Sequence, residues 1–161
     1  MELPQEAGLA DDERYLHGAK VLIVDDHPQN VELLEAYLES LPVERRAARN
    51  GEDALREVEA WRPDVVLLDV MMPRISGFEV CEKLKADPAT RDIPVIMVTA
   101  LNEVGDVERG REAGADDFLS KPFAKEDLLT RVKSLLRVRM MKREAAAGEA
   151  GVDLDEETGI E

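Results

Sequence analysis

Five side chains able to bind a metal ion or attack an electrophile follow predicted strands, each at the point where a strand ends. They are three carboxylates, a hydroxyl and an ammonium group: Asp25, Asp26, Asp69, Thr99 and Lys121. In a doubly wound sheet, ligands bind outside the carboxyl ends of the strands, so we expect these five groups to converge at one edge. Neighbouring carboxylates repel one another unless a cation lies between them, and oxygen ligands suit Mg²⁺. The sequence therefore predicts a magnesium site, with Mn²⁺ as the alternative ion.

The strands that would carry these residues are continuous apolar runs of strand length, at 21–24, 65–68 and 95–98. Unbroken apolarity indicates a strand that is covered on both faces, as in a parallel sheet between layers of helices. Two weaker strands complete the set. Glu44–Ala48 is charged and 117–119 is short, so both are predicted at the edges of the sheet.

Five helical patterns alternate with the strands. They begin near Pro28, Glu52, Gly77, Val104 and Lys125. Gly114 is well placed to cap the fourth helix, and the fifth is predicted to extend to about Ala147. Five β/α repeats predict an α/β fold of the flavodoxin-like, doubly wound (βα)5 type. The parallel five-stranded sheet would have the order 2-1-3-4-5, with an extended last helix.

The predicted last helix is apolar on two sides. One stripe suits packing on the sheet, and a second lies apart from it around the helix: Leu128, Val132 and Leu135, then Leu129, Leu136 and Met140. A helix with two apolar sides needs a second partner. That partner could be another protomer, a kinase or a downstream protein, and a homodimer through this helix is the hypothesis we favour.

The chain has 161 residues and a formal net charge of -15, concentrated at its two ends. Residues 1–19 carry -4 and residues 144–161 carry -7. We therefore predict an acidic extension over 1–19, a compact domain over 20–138, and a helix continuation with an acidic tail over 139–161. The acidity argues against direct nucleic-acid binding, since phosphate contacts need Lys and Arg. No apolar run approaches the roughly 20 residues of a membrane helix, and a single cysteine, Cys81, fits a cytoplasmic location.

Four pieces of sequence, in this order, resemble the receiver domain of two-component response regulators. They are 21–26 (VLIVDD), 67–73 (LLDVMMP), 99–100 (TA) and 121–123 (KPF). The stretch 114–122 (GADDFLSKP) is also typical of that family. The resemblance covers roughly residues 20–138. Around 25–30 and 70–87 the chain looks particularly like the receivers of diguanylate-cyclase regulators.

The resemblance implies that Asp69 is the phosphoacceptor, taking a phosphoryl group from a histidine kinase or a histidine phosphotransfer protein. It also implies that Asp26, Asp69 and the backbone carbonyl of Met71 ligate Mg²⁺ directly. Asp25 would act through water or complete the coordination shell. Lys121 would pair with a phosphoryl oxygen as a point charge.

The resemblance further implies a switch. The Thr99 hydroxyl would bind a second phosphoryl oxygen, small Ala100 would leave the site open, and Phe118 would rotate inward. The family carries a cis peptide bond before the residue that is Pro122 here. A downstream protein partner would then bind the face made by the fourth helix, the fifth strand and the fifth helix.

The hypothesis we favour is a single-domain response regulator that switches partner binding and turns over no substrate. One alternative is a receiver fragment of a longer regulator, such as a diguanylate cyclase. A phosphatase with an Asp nucleophile is a second alternative, but such an enzyme would carry a second acid where Met71 stands. A flavodoxin-like electron carrier is a third, but it would need a phosphate-binding loop where the anionic segment 25–28 lies. Apolar Met71 and Leu101 are expected to restrict an attacking water and lengthen the life of the phosphoryl group.

Overall fold

The computed structural model describes residues 13–100 and 104–160, with the backbone alone for residues 104 and 148–160. Five parallel strands form one sheet: β1 (Lys20–Val24), β2 (Glu44–Ala48), β3 (Val65–Leu68), β4 (Val95–Thr99) and β5 (Asp117–Ser120). Their order is β2-β1-β3-β4-β5, which confirms the predicted fold and places both weak strands at the edges. In the ladders of β1, Val24 lies beside Ala48 and Leu68. The ends of β1 and β3 are therefore level at the edge where the chemistry is predicted.

Five helices accompany the strands: α1 (Pro28–Leu38), α2 (Gly51–Trp61), α3 (Gly77–Ala86), α4 (Val104–Ala113) and α5 (Lys125–Ile160). Local signals set their ends. Asn50 caps α2 by accepting the N–H of Asp53 at 2.8 Å. Ser76 and Glu79 form a capping box at the start of α3. Gly114, at φ +98°, ends α4 as predicted.

The last helix is longer than the sequence pattern indicated, because α5 continues past Ala147 to Ile160. No proline follows Pro122 to interrupt the extension, although Gly148, Gly151 and Gly159 are weak helix formers. The prediction stopped too early because it took the acidic composition as a sign of a tail. Within the described part of the chain, no helix combines the length and the apolarity needed to cross a membrane.

Two apolar layers cover the sheet, so alternate residues of β1 face opposite helices. Val21 and Ile23 pack with α1 and α5, whereas Leu22 and Val24 pack with α2, α3 and α4. All four are almost completely buried, and each contributes about 1.5–3 kcal/mol of burial free energy. Cys81 lies in the second layer, where burial raises the pKa of its thiol to about 11. It is a core residue, as predicted.

A short 3-10 turn, Arg14–Leu16, precedes the sheet and packs on α5. Leu16 and Ala19 are buried in the core, so the domain includes residues that we expected in the acidic extension. Two further contacts hold the turn: Glu13 Oε2 lies 3.6 Å from Lys133 Nζ, and Arg137 lies 5.4 Å from the centre of the Tyr15 ring. The first twelve positions of that extension lie outside the described residues.

The turn also changes the interpretation of the two-sided last helix. Leu136 is fully buried in the same cluster as Leu16, and Leu129 and Met140 pack against it. The expectation that this stripe faces a partner molecule is wrong for Leu136, because the chain's own N-terminal turn and core cover it. Among the α5 side chains that the structure describes, the exposed large apolar ones lie further along, at Val138 (44% exposed) and Met141 (61%).

Candidate functional site

The strand ends bring the predicted residues to one edge of the sheet. Asp25 follows β1, Asp69 follows β3 and Thr99 ends β4, and all three are at most 4% exposed. Backbone hydrogen bonds extend the sheet past the strands. The Asp69 N–H donates to the Val24 carbonyl at 2.9 Å, and the Lys121 N–H donates to the Thr99 carbonyl at 3.1 Å. The side chains are thus fixed by the most rigid part of the fold.

The loop from β3 to α3 passes close to Asp69. The Gly77 N–H donates to the Val70 carbonyl at 2.9 Å, and a Cβ on Gly77 would overlap the Asp69 carbonyl oxygen. Glycine at this position lets the first turn of α3 approach the end of β3. Met71, in the same loop, exposes 74% of its surface beside the site. Its N–H lies 3.4 Å from Asp69 Oδ1.

Four ligand atoms, one from each of Asp25, Asp26, His27 and Asp69, lie within 4.8 Å of one another. Asp25 and Asp69 are buried, Asp26 is partly exposed and His27 is exposed. The Oδ1 atom of Asp26 is itself buried and accepts no hydrogen bond. A buried carboxylate oxygen without a donor requires a cation or a water. The donor set therefore fits a divalent metal ion.

Lys121 places a positive charge beside the carboxylates of this site. Its Nζ lies 3.4 Å from Asp25 Oδ2 and 3.9 Å from Asp69 Oδ1. The peptide bond between Lys121 and Pro122 is cis, as the resemblance implied. A single ammonium group is thus shared between two buried carboxylates, which leaves the cluster net negative.

The electrostatics of Asp69 follow from this arrangement. Burial, and then the neighbouring Asp25 carboxylate, raise the pKa of Asp69 above the ordinary value of 3.8. The Lys121 ammonium, the Met71 N–H and the Thr99 hydroxyl oppose the shift but do not cancel it. An added cation would favour the ionised carboxylate, so metal binding and protonation compete at this group.

Phe118 and Ala100 lie beside the site on different sides. Phe118 is half-buried and packs in the layer of α2, α3 and α4, close to Gly110 of α4. Ala100 is exposed directly after Thr99. Leu101, expected to limit access of water, lies outside the described residues. Of the predicted switch residues, the structure therefore places the Thr99 hydroxyl near Asp69 and Phe118 against α4.

A groove opens next to Lys121, between α1 and the segment after β5. Its cavity volume is about 400 Å³, and its lining is largely apolar: Asn30, Leu33, Leu34, Tyr37, Lys121, Pro122 and Phe123. We call it the α1 groove. Tyr37 and Phe123 meet edge to face with their ring centres 6.0 Å apart. Leu33, 44% exposed, is an accessible apolar residue of this surface.

No role for His27 was predicted from its sequence position, yet the structure places it among the ligand atoms. The residue comes directly after the acid pair, and Pro28 at the first turn of α1 fixes the chain there. The available signal was this adjacency. Adjacency alone does not show which way a side chain points, so only the structure reveals the grouping.

Sequence comparison agrees with the fold and the site. The response regulator receiver domain family matches residues 21–133, and the chain belongs to this family. It is thus a receiver domain of the two-component response regulators, as the motifs indicated.

Particular relatives make this more specific. The chain is 47% identical over 139 residues to the response regulator PleD of Caulobacter vibrioides, a match that covers 83% of the chain and 31% of PleD. The signal receiver domain of a histidine kinase from Syntrophus aciditrophicus has a TM-score of 0.71 and 41% identity, over 74% of this chain and 91% of that one. The BeF3-activated receiver domain of DrrB has a TM-score of 0.68 and 38% identity, over 74% and 98%. The chain therefore spans a whole receiver but about a third of PleD.

Proposed function

We propose that Asp69 accepts a phosphoryl group from a histidine kinase or a histidine phosphotransfer protein and that this switches partner binding. The observation that carries the proposal is the burial of the Asp69 carboxylate beside Asp25, Asp26 and Lys121 at the strand ends. A nucleophile in that setting is oriented by the sheet and flanked by groups that bind anions and cations.

In the transfer step, an Asp69 carboxylate oxygen attacks phosphorus. The new O–P bond forms as the P–N bond of the donor's phosphohistidine breaks, and the imidazole leaves with the electron pair. Lys121 stabilises the charge on a transferring oxygen, and the Thr99 hydroxyl donates to another. Asp26, Asp69 and the Met71 carbonyl would hold Mg²⁺ or Mn²⁺, with Asp25 completing the shell. Such an ion neutralises charge on the phosphoryl oxygens.

The switch would start at the same atoms. A phosphoryl group adds a charge of about -1.5 to -2 and new acceptor oxygens next to Thr99 and Lys121. Drawing the Thr99 hydroxyl toward these oxygens alters the end of β4, next to the strand that carries Phe118. Since Phe118 packs on Gly110, its movement would be passed to α4. The equilibrium between two packings of this face would then set partner affinity.

The α1 groove would receive the phosphodonor. It is apolar, it adjoins Lys121, and its volume of about 400 Å³ accommodates side chains of a partner helix. A donor histidine on a helix seated there would face the Asp69 edge of the sheet. This proposal assigns the kinase or phosphotransfer protein to α1, on one side of the site.

The output would use a different surface, on the α5 side. Val138 and Met141 are exposed apolar residues of α5, and a dimer or a downstream protein could cover them. Action as a single-domain regulator in the cytoplasm, without substrate turnover, remains our favoured proposal. The alternative is that this receiver controls further segments, since the matched relative PleD is longer.

The test is phosphorylation by a small phosphodonor, acetyl phosphate, in the presence of Mg²⁺. We expect one alkali-labile phosphoryl group per chain by intact mass, and none in the Asp69→Asn variant. Asp92→Asn, at an exposed aspartate away from the site, is the control and should label normally. Normal labelling of the Asp69 variant would refute the assignment of the nucleophile. Continuous release of phosphate would instead favour a phosphatase.

A further inference from the structure

His27 is positioned against the acidic cluster by its own backbone. Its N–H donates to Asp25 Oδ1 at 2.9 Å, which holds the residue at the mouth of the site. Its Nδ1 then lies 3.1 Å from Asp26 Oδ1 and 3.4 Å from Asp25 Oδ1. The imidazole is 59% exposed, so a small rotation of the ring meets little resistance from packing.

These spacings match those of atoms that share a metal ion. Neighbouring ligands around an octahedral ion with bonds of about 2.1 Å lie about 3 Å apart. The nearer of these two oxygens, Asp26 Oδ1, is buried and accepts no hydrogen bond. A nitrogen and an oxygen that lie 3.1 Å apart and make no hydrogen bond have the spacing of two ligands of one ion.

We propose that His27 contributes its imidazole to the metal ion held by Asp26 and Asp69, and that it thereby shifts the preference of the site from Mg²⁺ toward Mn²⁺ and similar transition ions. Mg²⁺ favours a shell of oxygen atoms and water, whereas imidazole suits first-row transition metals. The inference rests on the proposed metal site of the receiver. It adds a nitrogen ligand to the oxygen ligands that the family resemblance implies.

A different role for His27 makes the opposite prediction. If the imidazole were a counter-cation for the acid pair, an arriving metal ion would repel it. Removing the ring would then leave metal affinity unchanged or make it tighter. Metal binding by variants of His27 therefore separates the two roles.

The experiment uses Mn²⁺ as the probe on the full chain, at mildly alkaline pH so that protons compete little with the metal ion. Pulsed electron paramagnetic resonance detects the nuclear modulation of a nitrogen bound to Mn²⁺. The chain has two histidines, so His17→Gln is the matched control for His27→Gln. We expect nitrogen modulation in the native chain and in the His17 variant, and none in the His27 variant. Calorimetry should show a loss of Mn²⁺ affinity of about tenfold in the His27 variant, with less change for Mg²⁺.

Each outcome is decisive. Tight Mn²⁺ binding without nitrogen modulation would overturn the role of His27 and leave the oxygen site standing. Stronger Mn²⁺ binding by the His27 variant would also overturn it. Failure of the native chain to bind either ion would refute the metal site itself and with it the inference. Circular dichroism of each variant without metal checks that the fold is retained.

Discussion

The Asp69 carboxylate is held where ionisation is unfavourable until a cation arrives. Burial and the Asp25 charge raise the pKa of Asp69. The protonated carboxyl is therefore favoured in the folded protein, and protonation of Asp69 contributes to the stability of the fold. That contribution is fully present below the ordinary carboxyl value of 3.8 and is lost as the pH rises through the raised pKa. At neutral pH the ionised group therefore destabilises the metal-free protein.

Replacing Asp69 by Asn should consequently stabilise the metal-free protein at pH 7. We expect its Tm to rise by about 2–4 °C, the change that about 1 kcal/mol produces in a domain of this size. The gain should shrink as the pH falls through the raised pKa of Asp69 and should be lost below the ordinary value of 3.8. Thermal melts in a chelator across this pH range make the measurement. A Tm that falls at pH 7, with Asp92→Asn unchanged, would contradict this account.

A second consequence of the raised pKa concerns reactivity. Only the ionised carboxylate of Asp69 is a nucleophile, so labelling by acetyl phosphate should decline on acidification before an ordinary carboxyl would protonate. Saturating Mg²⁺ should move the decline to lower pH, because metal and proton compete. The initial rate of labelling against pH, at two Mg²⁺ concentrations, is the measurement. A midpoint at or below the ordinary carboxyl value at the lower Mg²⁺ concentration would be inconsistent with the burial of Asp69.

Most residues of this site could be predicted because parallel strands deliver the residues at their carboxyl ends to one edge of the sheet. Asp25, Asp69 and Lys121 needed only the strand pattern. His27 was not predicted because its position depends on a local hydrogen bond from its own N–H to Asp25. Periodicity and family motifs carry no information about such a contact.

Among the elements, α4 carries two glycines that differ in their surroundings. A Cβ on Gly110 would lie 2.5 Å from Phe118 Cε1 and 3.1 Å from Met97 Sδ, whereas a Cβ on Gly105 would meet none of the described side chains within 4 Å. Gly110 thus provides the room in which the Phe118 ring packs. The two positions form a matched pair on one helix.

We predict opposite effects of alanine at these two positions. Gly105→Ala should raise the free energy of unfolding by up to about 1 kcal/mol, through helix propensity. Gly110→Ala should lower it by about 1–3 kcal/mol, because the Phe118 ring must move. Urea unfolding gives both values, and the ring resonances of Phe118 should shift only in the second variant. Equal stabilisation by both substitutions would show that Phe118 is not confined by α4.

The long helix is secured at the end of the sheet opposite the site. Asp64, 4% exposed, accepts the N–H of Lys20 at 2.8 Å and lies 3.2 Å from Arg139 Nε and 3.0 Å from Arg143 Nη1. Burial lowers the pKa of Arg139, and the Asp64 carboxylate opposes this shift. Arg139 also donates to the backbone carbonyl of Asp92 at 3.0 Å. Asp64 therefore joins β1, β3 and α5 at one point.

Removing the charge of Asp64 should loosen α5. We expect Asp64→Asn to destabilise the protein by about 3 kcal/mol, because Arg139 is left buried without its counter-ion. Amide hydrogen exchange should accelerate around Arg139 and Arg143. Asp92→Asn is again the control and should cost less, because Arg139 hydrogen-bonds the Asp92 carbonyl and the Asp92 carboxylate is the smallest charge influence on it. Unchanged exchange in the Asp64 variant would mean that apolar packing alone holds the helix.

The strands and most helix boundaries could be predicted because their signals are local: apolar runs, a capping glycine and proline. The turn at Arg14–Leu16 could not, since one buried leucine in an acidic segment forms no periodic pattern. The covering of Leu136 by the core and that turn was missed for the same reason. Contacts between distant segments decide which side of an amphipathic helix is free.

At the scale of the whole molecule, two exposed apolar patches of the described residues lie on different surfaces, one beside the site and one toward the opposite end of the sheet. Leu33 belongs to the α1 groove next to Lys121, and Val138 lies on α5 beyond the core. Both side chains are 44% exposed, so the same substitution removes comparable accessible apolar surface from each. The proposed function assigns the phosphodonor to the first patch and the output to the second. The pair therefore allows input and output to be separated in one protein.

We predict a double dissociation between Leu33→Glu and Val138→Glu. The first should slow transfer from a phosphohistidine donor by about tenfold or more, because a buried charge at a contact costs over about 1.4 kcal/mol, and it should leave self-association intact. The second should abolish a dimer induced by beryllofluoride and Mg²⁺ and should leave transfer intact. Both variants should still label with acetyl phosphate, which needs neither surface.

Quenched time courses of phosphotransfer measure the effect of Leu33→Glu, and sedimentation velocity measures the effect of Val138→Glu on the dimer. Sedimentation as a monomer by the native chain, with and without beryllofluoride, would rule out the dimer. Equal loss of transfer in both variants would show that donor and output share one surface.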